Sequence, residues 1–210
     1  MKLESICPAP AVGRIRLLLA AFAVSILAGC ANFYVDTAIR DIPADQMAKA
    51  SNPGPVQLLF EFQTRGATNA RATEQLKPQV TTLTTSSGLF SEVGVVPVAS
   101  SATLIITLNN VPFSDNENAF GKGFVTGLTF GLAGNTVTDG YICTLDYSPG
   151  GNAPKISKTV RHAIHTTLGS QGAPPNAEKS EGIQDAVTKM TRQIVTNALN
   201  QLGRDPDFQK

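Results

Sequence analysis

Two alternating segments facing each other across a proline-glycine turn constrain this chain more than any other feature. Tyr141, Cys143, Leu145 and Tyr147 share one parity and alternate with Thr144 and Asp146. Beyond Ser148-Pro149-Gly150-Gly151-Asn152, a segment over 156–168 carries Val160, Ile164 and Leu168 on one parity. Period-two alternation marks strands with one face on a core, and a turn of this composition between them predicts an antiparallel hairpin.

The rest of the body follows from the same pattern. Val56, Leu58, Phe60 and Phe62 alternate with Gln57, Glu61 and Gln63, and Leu104, Ile106 and Leu108 alternate with Thr103, Thr107 and Asn109 before Asn110 and Pro112, which read as breakers. Between these two strands, Thr68 or Asn69 can cap a helix with Ala72, Leu76, Val80 and Leu83 on one face, ended by Gly88. Pro78 lies inside that helix; an interior proline removes a backbone donor, so a kink, a break or a start at about Lys77 is expected. The clearest helix spans about 180–202, with Ile183, Ala186, Val187, Met190, Ile194, Ala198 and Leu202 in one stripe and Gly203 as its stop. The expected fold class is α+β: a mostly antiparallel sheet of about four strands, with two helices packed on one face and a glycine-rich apolar insert.

Three segments divide the chain. Basic Lys2, Arg14 and Arg16 precede LLLAAFAVSILA over 17–28, an uncharged run of about a dozen residues. That length suits a secretory signal peptide, whereas a spanning helix needs about 20 apolar residues. The run ends in Leu27-Ala28-Gly29-Cys30, which resembles the bacterial lipobox; the alternative is an ordinary signal peptide or an uncleaved anchor with an incidental cysteine. The resemblance implies a signal peptide over 1–29, cleavage before Cys30, and attachment of diacylglycerol, with acyl chains such as palmitate, to its sulfur. Ala31 in place of an aspartate after Cys30 implies outer-membrane sorting. Residues 30–55, with Pro43, Pro53 and Gly54, read as the lipidated N-terminus and a tether holding one short helical turn near 44–50. Residues 56–210 read as a single periplasm-facing domain.

With Lys2, Arg14, Arg16 and Glu4 removed, 14 basic and 15 acidic residues remain, a net charge of −1. A near-neutral body without a Lys/Arg cluster has no electrostatic footprint for nucleic acid. Cys143 is the only cysteine of the body, so an internal disulfide framework is excluded there.

The insert AFGKGFVTGLTFGLAG over 119–134 places Gly123, Gly127 and Gly131 at every fourth position. On a helix these form a flat face suited to close approach, although each interior glycine costs about 1 kcal/mol relative to alanine. In an irregular loop or hairpin, Phe124, Val125, Leu128, Phe130 and Leu132 would cover the core or meet a membrane or partner. The spacing fits neither a dinucleotide fingerprint nor a phosphate loop.

Residues able to carry chemistry are few. His162 and His165 are three apart in a strand, which points them to opposite faces and prevents joint chelation; only on a helix would they share a face for a metal. Cys143 reads as a small buried hydrophobe, and a nucleophilic pairing with His162 lacks any surrounding signature. No catalytic residue, metal ligand, cofactor or small-molecule substrate is assigned.

The segment 56–111 with Ser87-Gly88-Leu89-Phe90, and the insert followed by Thr138-Asp139-Gly140-Tyr141, make the chain similar to small uncharacterised outer-membrane lipoproteins of Gram-negative bacteria. More distantly, the layout is similar to periplasmic domains of curli-secretion-type lipoproteins and to lipoprotein cofactors of envelope enzymes. The resemblance brings no catalytic residues to carry over, and the absence of a convergent Ser/Cys, His and acid constellation favours a non-enzymatic envelope protein, held to the membrane through Cys30 and docking to an envelope partner or the membrane surface. The alternative is a lipid-anchored periplasmic hydrolase.

Overall fold

In a computed structural model, which describes residues 31–96, 102–112, 136–169 and 172–210, the hairpin forms as β6 (Thr136–Ser148) and β7 (Ile156–Leu168). Tyr141 stands opposite His162 and Cys143 opposite Val160. Gly150 and Gly151 take positive φ at the turn, a conformation that costs glycine no Cβ clash. The other elements are β1 (Ala31–Asp36), β2 (Pro55–Thr64), β3 (Ala67–Thr68), α1 (Ala70–Ser86), β4 (Glu92–Gly94), β5 (Thr103–Pro112), β8 (Ala177–Ser180) and α2 (Ile183–Gly203). Residues Asn32–Lys210 belong to one compact unit.

The expectation of about four strands is corrected. Among the described residues the sheet is mixed and has eight strands, in the order β3-β2-β5-β6-β7-β1-β8, with β4 also on β2. The β5-β6, β6-β7, β2-β3 and β1-β8 pairs are antiparallel, whereas β2 is parallel to β5 across the α1 crossover and parallel to β4. β1, β3, β4 and β8 are six, two, three and four residues long. Segments so short show little period of their own, and they are strands because neighbours supply their hydrogen bonds.

The reading of 31–55 as a tether is corrected for the same reason. Residues 31–36 form β1, and the segment that follows lies along α2. The Ile42 N–H donates to Thr196 Oγ1 at 3.1 Å, the Ala48 N–H to Asn200 Oδ1 at 2.9 Å, and Asn197 Nδ2 to the Arg40 carbonyl at 2.6 Å. An irregular backbone needs such partners when it packs away from water, and the polar residues of α2 provide them.

α1 begins at Asn69, whose side chain accepts from the Ala72 N–H at 3.1 Å. It continues through Pro78, against the expected break. Pro78 and Glu74 are both exposed, so water can satisfy the Glu74 carbonyl that the missing donor leaves free. Gly88, at φ +71, follows the helix end.

α1 packs on β2, α2 packs on β7 and β6, and the helices touch each other, so both cover one face of the sheet. Leu58, Leu104, Ile106, Leu108, Leu145 and Ile164 of the sheet are buried with Met190, Ile194, Leu199 and Leu202 of α2. Each such side chain contributes about 1.5–3 kcal/mol. Ile183 departs from the expected stripe: it is exposed, because the first turn of α2 stands at the end of the sheet. Among the described residues no helix is long and apolar enough to cross a membrane.

Candidate functional site

Cys30 and the insert residues Phe124, Val125, Leu128, Phe130 and Leu132 lie outside the described residues. Their attachment points are described. Pro112, where the insert leaves β5, stands opposite Asp139, and Thr136, where it enters β6, stands opposite Thr167. Both attachments are therefore at the end of the sheet where β7 finishes.

The two histidines are separated by the sheet. His162 shares parity with Val160 and Ile164 and points toward α2. Its Nε2 lies 2.6 Å from Gln193 Oε1, and its Nδ1 accepts the Ala163 N–H at 3.0 Å. These partners fix the neutral tautomer with hydrogen on Nε2. Burial holds the His162 pKa below its ordinary value, despite opposing contributions from the Gln193 hydrogen bond and the Asp36 charge. This imidazole is a satisfied core group.

His165 faces the other side of the sheet, where it meets two polar partners from distant strands. Its Nδ1 lies 2.8 Å from Thr138 Oγ1 on β6, and its Nε2 lies 3.5 Å from Asp36 Oδ2 on β1. All three residues are buried. A proton on Nε2 would point to Asp36, leaving Nδ1 to accept from the Thr138 hydroxyl. Carboxylate, imidazole and hydroxyl thus stand in the order of a nucleophile relay. The Asp36 contact is at the long limit of a hydrogen bond, and Asp36 Oδ1 is already engaged by the Ala38 N–H at 2.6 Å. Thr138 lies within a regular strand and is only 7% exposed. The arrangement ties β1 to β7 and β6, which is what a buried polar clamp does.

Cys143 is fully buried on the helix side, and burial pushes its thiol pKa up to about 12. A thiol so hard to ionise is a poor nucleophile. Among the described residues no group of three or more His, Cys, Asp or Glu side chains could hold a metal ion.

A groove of about 420 Å³ lies beside β2, lined by residues that include Leu59, Phe60, Glu61, Thr73, Glu74 and Ile105. Leu59 and Ile105 are exposed apolar residues of β2 and β5, on the parity opposite to the buried Leu58 and Leu104. The Thr68 hydroxyl donates to the Glu61 carboxylate on its rim.

Sequence reasoning missed Asp36 and Thr138. Asp36 was assigned to the tether, although Asn32-Phe33-Tyr34-Val35 is a run rich in strand-forming residues that could have signalled β1. Thr138 could be found only once β6 was extended to Thr136, which places it opposite His165.

No protein-family model and no curated protein matches the sequence. Several solved structures resemble the fold at low identity, three of which follow. A PelC dodecamer protein from Paraburkholderia phytofirmans is 12% identical with a TM-score of 0.33, over 86% of this chain and 97% of that one. A protein from Helicobacter pylori named as a homolog of the neuraminyllactose-binding hemagglutinin is 9% identical with a TM-score of 0.38, over 76% and 89%. A protein from Caulobacter crescentus CB15 named as a lipoprotein is 9% identical with a TM-score of 0.28, over 69% and 84%. Likenesses at these scores carry no conclusion about function.

Proposed function

We propose that the chain is a lipid-anchored cell-envelope lipoprotein, acylated on Cys30, seated on the outer membrane facing the periplasm, and acting without catalysis by docking to the membrane surface or an envelope partner. The observation that carries this reading is the coincidence of an apolar run of signal-peptide length with Leu27-Ala28-Gly29-Cys30. The position of the motif supports it: Cys30 precedes β1 and lies outside the compact unit Asn32–Lys210, so cleavage there removes none of the described elements. Cys30→Ser should abolish labelling by a fatty-acid analogue and membrane retention on fractionation. Equal labelling of both proteins overturns the reading.

The order Thr138, His165, Asp36 supports a second reading, a lipid-anchored hydrolase with Thr138 as nucleophile. A fluorophosphonate probe tests it. An adduct on Thr138 that disappears in His165→Ala favours the hydrolase, and absence of any adduct in the folded protein favours the clamp.

A further inference from the structure

One end of the sheet gathers features that the fold itself leaves unexplained. Among the described residues, Val137, Leu168 and Ile183 are large apolar side chains left 47%, 47% and 41% exposed. Val137 has the parity of Cys143, and Leu168 that of Ile164, so both point to the helix-covered side. They are diagonal neighbours, since Val137 stands opposite Thr166, two residues before Leu168.

Ile183 lies at the same level. His162 meets Gln193 and Lys158 meets Asp205, so α2 runs antiparallel to β7. Returning from Gln193 to Ile183 covers about 15 Å of helix, and advancing from His162 to Leu168 covers about 20 Å of strand. The first turn of α2 is thus level with the end of β7.

The chain that carries Cys30 arrives at this end too. β1 is antiparallel to β8, with Phe33 opposite Ser180, and Ser180 is three residues before Ile183. Going backward along β1 therefore leads toward the start of α2. Cys30 is three positions before Phe33, so their Cα atoms are at most about 10 Å apart.

We infer that this end of the sheet, presenting Val137, Leu168 and Ile183, rests on the bilayer that holds the lipid of Cys30. The inference rests on the lipid-anchored reading. Ten ångströms of chain leave no space for a protein partner between the bilayer and Phe33 of β1, whereas a lipid surface fits. The acyl chain already places the protein at the membrane, so a small apolar contact suffices to orient it. Glu181 and Asp185 flank Ile183, with Asp185 paired to Lys189 at 3.0 Å; a zwitterionic surface suits this border better than an anionic one.

The test uses the full acylated chain in phosphatidylcholine vesicles. An environment-sensitive fluorophore is attached to Val137→Cys, Leu168→Cys or Ile183→Cys, and to Val95→Cys as the control. Val95 is exposed beside β4, whose partner Gln57 stands level with Thr103 and Ser148. That level is roughly 35 Å along β6 from Val137. Native Cys143 is buried and should remain unlabelled, and melting curves confirm that each variant folds. With a nitroxide-bearing lipid, the first three positions should be quenched several-fold more than position 95. Mass spectrometry of the same samples reports the acyl group. Acylated protein quenched equally at both ends overturns this inference while leaving the anchor standing; protein without an acyl group on Cys30 overturns both.

Discussion

The two ends of the sheet are built differently. At the end where β6 turns into β7, the rings of Phe90, Tyr147 and Phe208 pack together, with centroids 5.1–5.9 Å apart. There Leu89 is fully buried, Lys158 and Asp205 pair at 2.6 Å, and the Lys158 ammonium holds Asp205 below the usual carboxylate range. A Cβ on Gly203 would come within 2.7 Å of Leu89 and 3.1 Å of the Ala48 carbonyl. At the other end Val137, Leu168 and Ile183 stay exposed. Val95 and Val96, just beyond β4 at the closed end, are exposed as well, so the contrast lies in the packed rings and buried Leu89 of one end against the neighbouring exposed Val137 and Leu168 of the other, and exposed apolar clusters mark surfaces that meet something.

Substitutions should separate the ends, beginning with the largest effect. Leu89→Ala removes buried volume at the closed end and should cost about 2–5 kcal/mol, read as a lower denaturation midpoint with an unchanged denaturant slope. A loss below 1 kcal/mol would mean that this end is not closed as described. Asn200→Ala, which strips the Ala48 N–H of its partner, should cost about 1–3 kcal/mol and increase protease cleavage within 40–50. Unchanged cleavage would return that segment to the status of a loose tether.

His162 lies between the ends and adds a pH signature. Its folded pKa is below the ordinary 6.5, so between those values the unfolded chain binds more protons than the folded one. Stability from this group is present above pH 6.5 and is lost as pH falls below it, by at most about 1.4 kcal/mol per unit. Urea melts from pH 7 to pH 5 should show this loss in the native protein, and His162→Asn should flatten it. Retention of the full slope in the variant would move the effect to another group.

Smallest of all should be Val137→Ser and Leu168→Ser at the open end. For the soluble fragment from residue 31 each should change stability by no more than about 0.5 kcal/mol, read as thermal melts matching the parent. A loss comparable to Leu89→Ala would show that these side chains serve the core, and the contrast between the ends would collapse.

The sequence alone determined the elements that carry their own period. The hairpin, β2, β5 and α2 each bury one face, and alternation or the 3.6-residue stripe announces that face without reference to any neighbour. Helix α1 was legible from Asn69 and its apolar spacing, but the expected break at Pro78 was not found, because solvent exposure of the Glu74 carbonyl is a property of the packed helix. Of the four short strands, β1 carried only the faint signal of Phe33-Tyr34-Val35 and the other three were illegible, for a related reason. β1 and β8 are strands because each offers the other its backbone groups, and residues 37–55 are docked because Thr196, Asn197 and Asn200 await them on α2. The site divides in the same way: opposite facing of His162 and His165 follows from a spacing of three, whereas the meeting of His165 with Thr138 and Asp36 needs a strand register and a strand order. Parity is a local consequence of backbone geometry; which strands become neighbours depends on contacts across 27 and 129 residues of sequence, and only the tertiary structure decides those.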